Sequence, residues 1–144
     1  MAVSTVVEWV HREWALLTKR TLEQTRDRFT VEIARDELPI TLVAVGNEIV
    51  FAGVASLRER DSNDWLPGAS PWICNVYVCA KARGLGIAGQ LCRTLEQRAL
   101  RLGYESVYLT TTRADSLYHK LGYQEVRRSD HGGQAHYVLA RSIS

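Results

Sequence analysis

Arg83-Gly84-Leu85-Gly86-Ile87-Ala88-Gly89 is the stretch on which the reading of this chain turns. Upstream of it, residues 71–79 are a continuous apolar run with Asn75 in the middle, the pattern of a buried strand that bends or breaks its pairing there. Downstream, Ile87, Leu91, Leu95, Ala99 and Leu102 mark one face of a helix that ends at Gly103, while Arg93, Gln97, Arg98 and Arg101 suit a solvated face. Strand, glycine-rich turn and helix thus follow one another, with the helix starting near Gly84. Small residues let backbone N–H groups approach a diphosphate closely, and the helix start adds its own unpaired N–H groups and positive dipole end. An anion is expected on this turn.

The same residues satisfy GxGxxG, so a dinucleotide-binding turn has to be weighed first. Such a turn leaves its strand almost directly into the glycines, and an acid follows about 20 residues on, at the end of the next strand. Here four residues separate Cys79 from Gly84, and the next strand, 106–112, ends Leu109-Thr110-Thr111-Thr112. Both requirements fail. Because the two strands are separated by about 25 residues containing a helix, they read as parallel strands of a right-handed crossover.

A second motif follows. Ala114-x-x-x-Tyr118-x-x-x-Gly122-Tyr123 is a short helix over 114–121 stopped at Gly122, and Tyr118 lies 35 residues after Arg83. Read as Arg83-x-x-Gly86-x-Ala88, the turn resembles the pyrophosphate signature Q/R-x-x-G-x-G/A of the GNAT superfamily of acetyl-CoA-dependent N-acetyltransferases. The second motif resembles that superfamily's tyrosine-bearing helix, which ends in Gly-Phe or Gly-Tyr. The match spans residues 72–127, and the elements before it stand in family order. Thr5 with Glu8 and Thr21 with Gln24 are capping-box patterns opening two helices, the second stopped at Pro39. Residues 40–45 and 49–57 are strands around Gly46-Asn47, and 58–71 is a long polar loop. A closing hairpin over 123–127 and 135–140 turns at His131-Gly132-Gly133.

The resemblance implies an α/β (mixed α+β) GNAT fold in one domain, residues 1–144. Its sheet would be mixed and mostly antiparallel, with one splayed parallel pair and about four flanking helices. Only residues 1–4 remain for the family's first strand, which is therefore short or absent. It further implies acetyl-CoA as cosubstrate, the diphosphate on Arg83, Gly84, Leu85, Gly86, Ile87 and Ala88, and Thr111 and Tyr118 beside it. The pantetheine arm would lie in the opening between strands, its amides paired with backbone groups of Val76 and Val78. The Val76 N–H is the best-placed oxyanion donor, and Tyr118, whose phenol stays protonated near neutrality, is the candidate acid for the departing thiolate. Lys81 and Arg113 are further candidates for CoA phosphates.

Two departures bear on the base. Thr111 stands where many members have Asn, and no Glu stands near Trp72. Glu59, Asp61, His119, His136 and a water chain to solvent all stay open. Trp65, Trp72 and the acidic loop 59–64 are candidates for the border of the amine site, aromatics shaping it and carboxylates attracting an ammonium group. The expected activity is acetyl transfer to a primary amine, of a small molecule, protein N-terminus or lysine, by direct attack in a ternary complex. A CoA-binding regulatory module without turnover is the alternative.

Bulk properties agree with this class. At 144 residues the chain can bury a single core unaided, and 46% apolar with 24% charged residues is globular composition. A net charge of +2 gives no field that would call for nucleic acid or a membrane surface. Cys74, Cys79 and Cys92 are odd in number without CxxC spacing and read as reduced. No stretch approaches the roughly 20 apolar residues of a spanning helix, and Glu8 and Arg12 interrupt the apolar core a signal peptide needs, so a cytoplasmic protein, monomer or homodimer, is expected. His11, His119, His131 and His136 form no HxxxH ligand pair, and no metal is expected.

Overall fold

In the computed structural model the described residues are 37–44, 53–61, 63–78, 80, 83–84, 86–113 and 117–144. The two N-terminal helices, the first strand, the Gly46-Asn47 turn, Cys79, Lys81 and Leu85 fall outside them. In chain order the elements are β1 (Ile40–Ala44), β2 (Gly53–Arg58), β3 (Trp72–Val78), α1 (Ile87–Arg101), β4 (Ser106–Thr111), α2 (Leu117–Lys120), β5 (Gln124–His131) and β6 (Gln134–Ser142). The six strands form one mixed sheet in the order β1-β2-β3-β4-β6-β5. Among the described residues only β3 and β4 run parallel, and α1 is the crossover between them, as the spacing predicts.

β1 and β2 pair antiparallel with Ile40 opposite Leu57 and Ala44 opposite Gly53. The β5–β6 hairpin closes as expected. Gly132 and Gly133 both have positive φ, 62° and 80°, the dihedrals a tight primed turn demands.

α1 lays Leu91, Cys92, Leu95 and Ala99 against Ala55, Leu57, Ile73, Val107, Leu109 and Leu139 of the sheet, which together make the core. The helix begins at Ile87 rather than near Gly84, because Gly84 and Gly86 hold φ of 84° and 76° and cannot belong to a right-handed helix. Both helices end in the same way. In α1, Tyr104 N–H donates to Ala99 and Gly103 N–H to Leu100; in α2, Tyr123 N–H donates to Tyr118 and Gly122 N–H to His119. These are paired Schellman bonds around a left-handed glycine, Gly103 in one case and Gly122 in the other.

Candidate active site

The parallel pair is open for most of its length. Trp72 opposite Tyr108 is its one residue pair, supported by Tyr108 N–H donating to the Pro71 carbonyl at 3.0 Å, whereas β4 and β6 stay in register from Ser106 to Thr111. The cause lies in β3. Its pairing with β2 shifts so that Asn75 and Val76 together face Ala55, and Asn75 takes φ of 57°. One extra residue bends a strand and increases its twist, and Asn tolerates the left-handed region better than other side-chain-bearing residues. The bend foreseen at Asn75 is therefore present, and it carries Val76 and Val78 away from β4.

The glycine turn lies at the far end of that opening. Gly86 caps α1 without a side-chain bond, the first turn contains no acid, and the first intrahelical bond is Gln90 N–H to the Gly86 carbonyl. The N–H groups of Ile87, Ala88 and Gly89 precede it and form the positive end of a 15-residue helix. Arg83 is exposed but folds back, its Nε donating to the Val78 carbonyl at 3.1 Å and its guanidinium 5.9 Å from the Tyr77 ring centre. Thr111 Oγ1 accepts the backbone N–H of Arg113 at 3.2 Å, and Arg113 itself is exposed.

Tyr118 is half-buried on α2 and packs against the core, its ring edge-on to Tyr123 at 6.2 Å. Burial, and secondarily the neighbouring Cys92 thiol, raise its phenol well above the ordinary value. Cys92 is fully buried, and burial first, then the Glu96 carboxylate, push its thiol up to about 12. Both groups hold their protons throughout the neutral range.

The candidates for a base separate. Asp61 accepts Trp65 Nε1 at 2.8 Å and has Cys74 Sγ 3.5 Å from its other oxygen. Trp65 stacks on His136 at 4.7 Å and meets His131 edge-on at 5.8 Å. Asp61, Trp65 and His136 are thus brought together, while Glu59 is exposed on the loop and His119 exposed on α2. Trp72 belongs elsewhere: it is 3% exposed, donates to the Ala69 carbonyl and packs on Tyr108, so it is a core residue and not a border of the site. His131 and Cys74 join this group with no signal in the sequence, since their partners lie on other elements.

The larger omission is Glu96. It is 4% exposed, and its Oε1 accepts Arg93 at 2.9 Å and Arg141 at 2.7 Å while Oε2 accepts the Tyr123 hydroxyl at 2.7 Å. Arg93 also donates to the Leu121 carbonyl at 2.7 Å, so this half-exposed side chain is fastened at the edge of the solvated face rather than free on it. A signal existed: Cys92, Leu95, Glu96 and Ala99 occupy i, i+3, i+4 and i+7, which puts a carboxylate within the buried stripe.

A bulged, splayed strand leading to a capless helix start is the arrangement the resemblance implied, and residues 4–123 match the sequence model of the Acetyltransferase (GNAT) family. The chain belongs to that family. GNAT proteins of known structure share the whole architecture. An aminoglycoside 6'-N-acetyltransferase complexed with coenzyme A superposes at TM-score 0.74 with 14% identity, over 99% of this chain and 91% of that one. The structure of yncA from Salmonella typhimurium with its cofactor acetyl-CoA gives 0.75 at 21% identity, over 99% and 88%. The aminoglycoside 6'-N-acetyltransferase from Enterococcus faecium gives 0.71 at 15%, over 99% and 91%. Among curated proteins no relative matches by sequence. No helix among the described residues is long and apolar enough to cross a membrane.

Proposed function

We propose that this GNAT acetyltransferase moves the acetyl group of acetyl-CoA to a primary amine by direct attack in a ternary complex, as a single domain. One observation carries the reading: the opening of β3 from β4 and the N-terminus of α1 are joined by a turn whose glycines present backbone and no side chain. These residues fit the cosubstrate. Gly84, Leu85, Gly86, Ile87 and Ala88 would take the diphosphate, with Arg83 released from the Val78 carbonyl to join them. Val76 and Val78 offer backbone to the pantetheine amides, and Thr111 lines the facing strand.

In the transfer, the amine nitrogen forms a bond to the thioester carbon, the C–S bond breaks, and one proton leaves nitrogen as another reaches sulfur. The Val76 N–H meets the developing oxyanion and Tyr118 protonates the sulfur. A phenol of raised pKa keeps its proton through the neutral range and gives it up only to a strong base such as the departing thiolate. The amine approaches from the side of Asp61, Trp65 and His136, where a carboxylate and aromatic faces suit a cation, and its proton leaves through that group or through water. Aminoglycoside transfer by the structural neighbours is theirs at 14–15% identity, and the acceptor here is an amine of unassigned class.

Thermal shift with acetyl-CoA, CoA and NAD(H), followed by CoA release across a panel of small amines, peptides and lysine donors, tests this reading. Stabilisation by the two CoA ligands alone, with amine-dependent release, is expected. Stabilisation without release on any amine would favour a regulatory CoA-binding module.

A further inference from the structure

Among the described residues the helix that carries Tyr118, α2, covers Leu117–Lys120, none of them fully buried, with Tyr118 and the following Leu121 packed part-buried against the core. The turn that ends it ties it to the rest of the fold. That turn, residues 121–123, is where the Glu96 cluster converges. Arg93 binds Glu96 with one nitrogen and the Leu121 carbonyl with another, at 2.9 and 2.7 Å. Tyr123 gives its hydroxyl to Glu96 and its N–H to the Tyr118 carbonyl, and its ring meets the Tyr118 ring in a T-shaped contact. Between them sits Gly122, so close to the second arginine that a Cβ would meet Arg141 Nε at 3.0 Å.

We propose that Glu96 is a positioning residue for acetyl transfer, acting through Arg93, Tyr123 and Arg141 to set where the Tyr118 hydroxyl stands against the thioester sulfur. The carboxylate fastens three groups from α1, β6 and the turn after α2, and Tyr118 is joined to that turn by backbone and ring. Glu96 sits on α1, the helix whose other end faces the diphosphate. The proton donor is thereby referenced to the element that holds the cosubstrate. The proposal rests on the reading of Tyr118 as that donor.

The test is a double-mutant cycle of Glu96→Gln with Tyr118→Phe, reading kcat, acetyl-CoA KM and melting temperature. Glu96→Gln alone should lower kcat about tenfold with KM within about twofold, since a donor slightly out of place costs rate and not binding. In the Tyr118→Phe background the same change should cost no further kcat. Should Glu96→Gln fail to fold, Arg93→Gln replaces it in the cycle, because Arg93 is half-exposed and its loss leaves Glu96 paired with Arg141. If Tyr118→Phe lowers kcat and the two losses multiply, Glu96 acts by another route and the proposal falls alone. Parental kcat in Tyr118→Phe by itself would remove the donor, and the proposal with it.

Discussion

Gly86 and Gly122 both hold positive φ, 76° and 98°, and each belongs to one of the two motifs by which the chain resembles its family, yet their surroundings are opposite. A Cβ on Gly86 would find nothing within 4 Å, whereas one on Gly122 would meet the Arg141 side chain at 3.0 Å. The first glycine is required by backbone shape and by what must come close to it. The second is required by backbone shape and by what is already there. One motif therefore builds an open cradle from main chain, and the other a sealed joint from Glu96, two arginines and a buried tyrosine.

Tyr118 is attached to the joint and, in the function proposed above, serves the cradle, so its removal should have the largest effect. Tyr118→Phe keeps the ring and its edge contact with Tyr123. We expect kcat to fall on the order of 10² to 10⁴, with acetyl-CoA affinity little changed. Stability should move by no more than about 1 kcal/mol. A variant that melts early but turns over normally would assign Tyr118 to the joint alone.

The two glycines can be compared directly by placing Ala at each. Gly86→Ala meets only backbone strain, about 1 kcal/mol. Gly122→Ala meets the same strain and also presses on the Arg141 side chain, which must give by a few tenths of an ångström and so loosens its bond to Glu96; about 2 kcal/mol is expected, and a melting temperature lower by roughly 4–8 °C. Equal losses in the two variants would erase the distinction. Gly86→Asn probes the cradle from the other side, since Asn tolerates the left-handed conformation. It should melt close to the parent while binding acetyl-CoA about tenfold more weakly, the side chain occupying space the diphosphate needs. Undiminished affinity would move the diphosphate off this turn.

The cradle was legible in the sequence and the joint was not, for a physical reason. Gly84, Gly86, Gly103, Gly122 and the Gly132-Gly133 pair announce local dihedrals, and Asn75 in an apolar run announces a bend; each is decided within a few residues of itself. Glu96 finds Arg93 three residues away, but Tyr123 and Arg141 are 27 and 45 residues away, and composition carries no sign of those meetings. Trp65 and His136 stack across separate elements for the same reason. The antiparallel pairing of β1 with β2 was legible as well, since both runs of β-formers flank a local turn signal.

The smallest effect concerns alkaline pH and the sealed joint's own thiol. Cys92 ionises near 9.0 when unfolded, while burial and Glu96 push the native thiol up to about 12. Above pH 9 the unfolded chain therefore holds fewer protons than the native one, so stability falls as pH rises. This contribution is fully present below about pH 9 and is lost as pH climbs through about 12. Tyr118 and Tyr123 are raised too, from 10.0, and join the decline as pH approaches that value and passes it. Between pH 9 and 10 Cys92 contributes the largest of the three losses, about 1 kcal/mol. Cys92→Ala should lower the melting temperature at every pH through lost packing, but flatten its fall in that window. Gly86→Asn, which touches no titrating group, should keep the parental slope. Parallel curves for Cys92→Ala and parent would mean that the native thiol ionises as it does in the unfolded chain, and that the joint is open to water after all.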